Sequence, residues 1–205
     1  MQSELEKVVQ IADIVLVSEV DTINKLNEEA KKQNRKISII LMFDLGDLSE
    51  GFWFENGIDF VDDIKHCDYV NIMGIGTNLT CYGGIIPSKN HLYQLNEIKS
   101  KLYQKGVDVE VVSGGNSSSL YMNDLDPINN LRIGEAICLG RETAYGDIIE
   151  GLYDDAFILE AEVIEVKDKP SFPIGEIGMD AFGNKPSFND VGVTKRSIIE
   201  IGRAT

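Results

Sequence analysis

Residues 37–43 read ISIILMF, and this stretch decides the fold class. It is apolar at the positions of both strand faces, a pattern typical of a parallel strand covered on both sides. Amphipathic helix patterns lie before and after it, with Ile23, Leu26 and Ala30 spaced for one helical face upstream. Strand and helix patterns alternate five times, which predicts a parallel α/β sheet with right-handed crossovers.

The pattern predicts five strands and the helices between them. Ser3 and Glu6 have the spacing of a capping box, so the chain is expected to open with a helix, and Ser18 is expected to cap the second helix. A later amphipathic helix is predicted to end at Gly106. The strands are predicted at residues 14–17, 37–43, 69–75, 107–112 and 131–139.

The pattern changes after residue 155. FILEAEVIEV at 157–166 alternates between apolar and polar residues, and a Gly- and Pro-rich segment follows it. We therefore expect two domains, an α/β domain at 1–155 and the start of a β domain at 156–205. A further strand element is expected at 197–201, with no turn or cap after it.

Two predicted strands end in small residues that can present bare backbone N–H groups. The first is VEVVSGGNSSS at 109–119, and the second is LRIGEAI at 131–137, where Arg132 stands close to Gly134. Carboxyl ends of parallel strands share one edge of the sheet, and exposed N–H groups with a fixed positive charge favour an anion such as phosphate. Ordinary turns are the alternative that these residues leave open.

Composition excludes several classes of function. With 34 acidic against 19 basic residues the net charge is −15, which argues against binding nucleic acid or an anionic membrane. No apolar run reaches transmembrane length, and the two histidines lack metal-ligand spacing, so no metal site is expected. Three cysteines without a CxxC pair favour a reduced cytoplasmic setting, with Cys81 and Cys138 expected as small buried residues in strands.

Five motifs occur in one order along the chain: FDLGDLSEG at 43–51, GIGTNLTCYGG at 74–84, SGGNSSSL at 113–120, NNLRIGEAICLGRE at 129–142 and GEIGMDAFGNKP at 175–186. Together they closely resemble the alanine/ornithine racemase family of pyridoxal-phosphate enzymes. The resemblance implies a (β/α)8 TIM-type barrel of which this chain carries the last five strands, followed by the start of a β domain. It also implies an amino-acid substrate, racemisation by proton removal and return at Cα, and a homodimer.

The resemblance implies a set of cofactor-binding residues. Asn116 and Ser117 match side-chain positions near the cofactor phosphate, whereas Gly134 and Glu135 match positions whose backbone N–H groups reach it. Arg132 matches the arginine that faces the pyridine nitrogen. A guanidinium that keeps its proton leaves that nitrogen unprotonated, which favours racemisation over transamination.

Other positions match the family less closely. Asn78 falls where relatives carry a residue packed against the ring, and Asp44 is expected to orient the site. Ser49 stands where the family motif DLGDLREG has an arginine near the substrate carboxylate. No residue matches the Schiff-base lysine, and Asp180 in GMDAFG is the nearest ionisable candidate for the second catalytic base.

These departures lead us to expect an internal piece of a racemase or a shortened reading frame. Two other interpretations remain open. One is a non-catalytic module that carries pyridoxal phosphate, which the β segment after residue 156 disfavours. The other is a phosphate-binding barrel unrelated to that cofactor, which explains the two strand ends but not the ordered motifs.

Overall fold

The computed structural model describes residues 2–200 and divides into two compact units, residues 1–157 and residues 158–205. The first unit contains a parallel sheet with helices, and the second contains an antiparallel hairpin. The division falls after Phe157.

The predicted parallel α/β sheet is confirmed. The strands are β1 (Ile14–Val17), β2 (Ile37–Asp44), β3 (Phe52–Trp53), β4 (Val70–Gly76), β5 (Val111–Ser113), β6 (Gly115–Asn116) and β7 (Leu131–Arg132). The main sheet has the order β1-β2-β4-β5, all parallel, with β3 beside the end of β2, and β6 and β7 form a separate parallel pair. The α-helices are α1 (Leu5–Ile11), α2 (Val20–Lys32), α3 (Val61–Ile64), α4 (Lys89–Gln104) and α5 (Glu135–Leu139), and short 3-10 helices span Gln2–Glu4, Phe54–Asn56 and Ser117–Ser119.

Strand β2 is buried on both faces, as its continuous apolar sequence predicts. Ile39, Leu41 and Phe43 belong to the main core, and Ile40 and Met42 on the opposite face are also buried. Helices α2 and α4 complete that core with apolar residues expected from their spacing: Ile23, Leu26, Ala30, Leu95, Ile98 and Leu102. Leu92 of α4 is also buried.

Two helix caps differ from the sequence prediction. The N-cap of α1 is Glu4 without a side-chain cap bond, because a 3-10 turn precedes the helix where Ser3 was expected to cap it. The N-cap of α2 is Glu19 rather than Ser18. A capping box does occur at α4, where Ser88 and His91 bond each other's backbone N–H groups. A residue with the sequence spacing of an N-cap does not cap the helix when the preceding residues adopt a conformation that moves the helix start.

The strand predicted at 131–139 is wrong beyond Arg132. Only Leu131–Arg132 is extended, and α5 begins at Glu135. Gly134 lies between them with φ −128° and ψ −83°, which interrupts the strand, and the hydroxyl of Ser117 accepts from backbone amides of the new helix. A side chain from the 3-10 helix at Ser117–Ser119 therefore supplies a cap that local spacing does not reveal.

The second unit contains β8 (Val163–Pro170) and β9 (Val193–Ile199), paired antiparallel from Val163↔Ile199 to Pro170↔Val193. The alternating segment at 157–166 was expected to be extended throughout, but its strand begins only at Val163. Of the element expected at 197–201, residues up to Ile199 are in β9, and residue 201 lies outside the described residues.

Candidate functional site

A polar cavity of about 380 Å³ lies at the carboxyl ends of three strands in the first unit. It brings together six of the sequence-predicted residues. Its lining residues are Asn78, Thr80, Cys81, Asn116, Ser117, Arg132, Gly134, Glu135 and Thr143.

Close backbone packing makes these strand ends converge. Gly76 pairs with Ser113, and a Cβ on Gly76 would lie 2.7 Å from the Ser113 carbonyl oxygen. A Cβ on Gly115 would lie 2.2 Å from the Leu131 side chain. Only glycine permits such approaches, and the register Asn116↔Arg132 then places both site residues side by side.

Asn116 connects two of the strand ends. Its Nδ2 donates to Asn78 Oδ1 at 3.1 Å and to the Leu79 carbonyl at 2.7 Å. Its Oδ1 accepts from the backbone N–H of Ser118 at 2.9 Å and so caps the 3-10 helix that follows. Both ends of the amide are therefore held, and the side chain is oriented before any ligand binds.

Ser117 caps helix α5 across the cavity. Its hydroxyl oxygen accepts from the Gly134 amide at 3.3 Å and the Ala136 amide at 3.1 Å. The backbone N–H of Gly134, which the resemblance assigns to binding the cofactor phosphate, is therefore hydrogen-bonded to Ser117 in this structure. Space in front of Gly134 is open, since a Cβ there would meet no atom within 4 Å.

Arg132 is held by the carbonyls at the strand ends. Nη1 donates to the Ser113 carbonyl at 2.5 Å and to its hydroxyl at 2.6 Å, and Nη2 donates to the Thr77 carbonyl at 2.7 Å. Burial lowers the pKa of Arg132, whereas the charge of Glu50 raises it. A guanidinium effectively always keeps its proton in proteins, so the group remains a fixed cation facing the cavity.

Asp44 and Ser49 are not among the residues that line the cavity. Asp44 is buried, and its Oδ1 accepts from the amides of Gly46 at 2.9 Å and Leu48 at 3.1 Å, so it orders its own loop. The hydroxyl oxygen of Ser49 is buried without a hydrogen-bond partner among the described residues.

Asp47 is a residue that the sequence analysis missed. Its side chain is fully buried and accepts from the backbone amides of Tyr82 at 2.8 Å, Ile85 at 3.0 Å and Cys81 at 3.2 Å. Burial raises the pKa of Asp47, but these amides outweigh it and hold the pKa below its ordinary value. The repeated Asp in DLGD was the available signal, although nothing in its spacing identifies a partner about 35 residues away.

Glu142 is a third buried carboxylate, and it orders a loop beside the cavity. It accepts from the amides of Ala144 at 2.8 Å, Asp147 at 2.9 Å and Tyr145 at 3.0 Å. Thr143, the next residue, lines the cavity and donates its amide to the Ser117 carbonyl at 3.4 Å. The turn organised by Glu142 thus forms one wall of the cavity.

The expectation for two cysteines is wrong. Cys81 and Cys138 are exposed, the first in a loop that lines the cavity and the second in helix α5. Cys67 is the buried thiol, and burial raises its pKa. All three are free thiols.

The lining residues fit the phosphate end of pyridoxal phosphate. Amide, hydroxyl and guanidinium groups surround a volume typical of small-molecule sites, and the open space at Gly134 lets a ligand approach the backbone. Among the described residues, no lysine lines this cavity.

One protein-family model matches more than half of the chain. The family model for the N-terminal domain of alanine racemase matches residues 1–142. The chain belongs to this family. The resemblance read from the motifs is thereby confirmed.

Two curated racemases are similar to nearly all of the chain. Ornithine racemase of Acetoanaerobium sticklandii is 47% identical over 99% of this chain, and lysine racemase of Thermotoga maritima is 46% identical over 98% of it. The chain spans 59% and 58% of the lengths of these two relatives.

Solved alanine racemases share the fold at low sequence identity. The enzyme of Streptomyces lavendulae aligns with a TM-score of 0.62 at 17% identity, covering 93% of this chain and 50% of that one. PipY of Synechococcus elongatus, solved with PLP bound, aligns with a TM-score of 0.57 at 15% identity, covering 66% and 65% of the two chains. The barrel architecture inferred from the motifs is confirmed at the level of the fold.

The remaining predicted residue, Asp180, lies in the second unit. Its Oδ1 accepts from the amides of Phe182 at 2.8 Å and Asn184 at 2.9 Å, which closes a tight turn. No helix within residues 2–200 has the length and apolarity to cross a bilayer.

Proposed function

We propose that this racemase-family chain forms the cofactor-binding part of a pyridoxal-phosphate-dependent amino-acid racemase. The observation that carries the proposal is the cavity in which Arg132 lies beside Asn116 and Ser117, in a chain 47% identical to a curated ornithine racemase. Asn78, Gly134 and Glu135 complete the proposed cofactor site, and Asp44 and Ser49 support its neighbouring loop.

Arg132 has the central electrostatic role in this proposal. Pyridoxal phosphate, when bound, supplies an electron sink for the charge that develops at Cα. Arg132 presents a cation that keeps its proton, because three oxygen acceptors hold its guanidinium in place. A ring nitrogen facing it would therefore stay unprotonated, which limits the sink and favours return of the proton to Cα.

The phosphate end would be held by Ser117, Asn116 and the start of helix α5. The Ser117 oxygen accepts from the Gly134 and Ala136 amides through its lone pairs, which leaves its O–H proton to donate to an anion. The N–H groups of α5 add to the two side chains, and the cavity is open at Gly134.

We assign a basic amino acid as the substrate class, since both curated relatives carry the names of racemases for basic amino acids. The proposal extends to a homodimer, which the family resemblance implies, and to a reduced cytoplasmic compartment, which three free thiols support. Asp180 stays a candidate for the second base, with its carboxylate engaged in a turn.

Chiral chromatography of ornithine, lysine and alanine with added pyridoxal phosphate tests this function. A chain extended to the length of the curated relatives should racemise ornithine or lysine, and the present chain alone should not, since no lysine among the described residues lines the cavity. Arg132→Ala in the extended chain should abolish racemisation, whereas Arg141→Ala, at an exposed ion pair with Asp154, should not.

A second measurement addresses the cofactor alone. Titration of the chain with pyridoxal phosphate, followed by absorbance, should show weak binding that Arg132→Ala and Ser117→Ala reduce further. Borohydride reduction and mass spectrometry should give no adduct on one specific lysine of the chain. An extended chain that binds the cofactor and racemises none of the three amino acids would favour the carrier module and reject the racemase.

A further inference from the structure

The buried carboxylate of Asp47 joins two loops that follow neighbouring strands. Asp47 lies in the loop after β2, and its acceptors face the amides of Cys81, Tyr82 and Ile85 in the loop after β4. Thr80 and Cys81 of that second loop line the cavity. A residue outside the cavity is therefore bonded to the chain that forms one of its walls.

We propose that Asp47 is a positioning residue that holds the Thr80–Cys81 wall of the cavity in the conformation that receives the cofactor. The inference rests on the proposed function, since it assigns Asp47 a role in the same site. Three structural observations support it.

The first observation is the completeness of the contact. The carboxylate is fully buried, and charge-assisted hydrogen bonds from backbone N–H groups are among the stronger ones in proteins. Tyr82 donates to Oδ2, Ile85 donates to Oδ1, and Cys81 donates to Oδ2 at 3.2 Å and to Oδ1 at 3.4 Å, so both oxygens bind the same short loop.

The second observation is the close approach of the two backbones. A Cβ on Gly83 would lie 2.6 Å from the Asp47 carbonyl oxygen and 3.3 Å from its Cα. Real Cβ atoms do not approach so closely, so the loops can contact in this way only with glycine at position 83. Gly84, its neighbour, faces open space.

The third observation is strain in the wall itself. Thr80 has φ +54°, a left-handed conformation that is unfavourable for a β-branched residue. Its hydroxyl donates to the Ile85 carbonyl at 2.8 Å, and Ile85 in turn donates its amide to Asp47. Such a conformation persists only where surrounding contacts impose it, and the Asp47 contacts do so here.

Hydrogen exchange and cofactor titration on the whole chain test the inference. Asp47→Asn keeps one acceptor oxygen, so the amide of Tyr82 or that of Ile85 loses its acceptor, and the exchange of that amide should accelerate about tenfold or more. Amides of Ile39 and Ile75 in the sheet should keep their wild-type rates. The dissociation constant for pyridoxal phosphate should rise about tenfold by the same loss.

Gly83→Ala should reproduce both effects while leaving the carboxylate intact, because its Cβ forces the loops apart. Asp63→Asn is the control variant, because it makes the same chemical change at an exposed carboxylate. It should leave cofactor affinity within about twofold of the wild type.

The outcomes separate the two proposals. If exchange in Asp47→Asn becomes faster across the whole chain, Asp47 contributes only to overall stability and the positioning role is overturned. Faster exchange confined to the loop, with unchanged cofactor affinity, would also overturn it. If the wild-type chain binds no pyridoxal phosphate, the proposed function fails. The positioning role is then judged by exchange at Asn78 and Thr80, and unchanged rates at these wall amides in Asp47→Asn would overturn it.

Discussion

Strands β2 and β8 have the same length and opposite burial. Both have eight residues, but seven of β2 are buried and none of β8 is. β2 is apolar except for Ser38 and Asp44, whereas β8 carries Glu165, Lys167, Asp168 and Lys169 among its apolar residues. The first unit is therefore held by apolar burial and buried polar contacts, and the hairpin of the second unit by backbone pairing and surface ion pairs.

The largest expected effect follows from apolar burial. Leu41→Ala in β2 should lower the free energy of unfolding of the first unit by about 2–5 kcal/mol, because the side chain is fully buried. Val166→Ala in β8 should change stability by less than about 0.5 kcal/mol, since half of its surface is exposed. Urea unfolding followed by fluorescence of Trp53, the single tryptophan, reports the first unit, and amide exchange reports the hairpin. Similar losses for both variants would contradict the comparison.

The second effect concerns a buried carboxylate. Burial raises the pKa of Glu142, but the amides of Asp147, Ala144 and Tyr145 outweigh it, so the pKa lies below its ordinary value. Glu142 therefore stabilises the folded state fully above about pH 4.3, which is the pKa of a glutamate in the unfolded chain. This stabilisation is lost as the pH falls through the lower pKa of Glu142 in the folded state. Glu142→Gln should cost about 1–3 kcal/mol at pH 7 and flatten the acid limb of the stability profile, measured by urea unfolding from neutral to acid pH. A variant with the wild-type acid limb would refute this role.

A smaller effect is expected at the cap of helix α5. Ser117→Ala removes the acceptor of the Gly134 and Ala136 amides and should cost about 0.5–2 kcal/mol. Ser119→Ala is the matched control, because Ser119 is equally buried but accepts only one long bond, from Asn116 at 3.4 Å. Trp53 fluorescence in urea measures both, and an equal loss in the two variants would rule out the cap.

The smallest effect is expected on the hairpin. Hydrogen bonds from Lys167 and Lys169 lower the pKa of Glu165, but all three side chains are partly exposed, and such pairs contribute little. Glu165→Gln should change amide protection in β8 less than any variant above changes the first unit. Salt at about 1 M should screen these charges and remove the remaining difference in amide protection between Glu165→Gln and the wild type. A large, salt-independent loss would show that this pair is structural.

Local sequence patterns were sufficient to predict which face of a single strand or helix is buried. The continuous apolar run of β2 and the helical spacing of Leu92, Leu95 and Ile98 predicted buried faces that the structure confirms. Prediction failed where the partner is distant in sequence. Helix α5 starts after Gly134 because Ser117, 17 residues earlier, accepts from its amides, and no local rule identifies that acceptor.

The sequence by itself determined the α/β class and the family, and it identified six residues of one cavity, because strand periodicity and ordered motifs are carried by neighbouring residues. Only the tertiary structure decided which backbone amides the buried carboxylates of Asp47 and Glu142 bind, and that Ser49 lies outside the cavity. Such contacts depend on how the strand ends meet in space, and a buried charge is stable only where folding assembles enough donors around it.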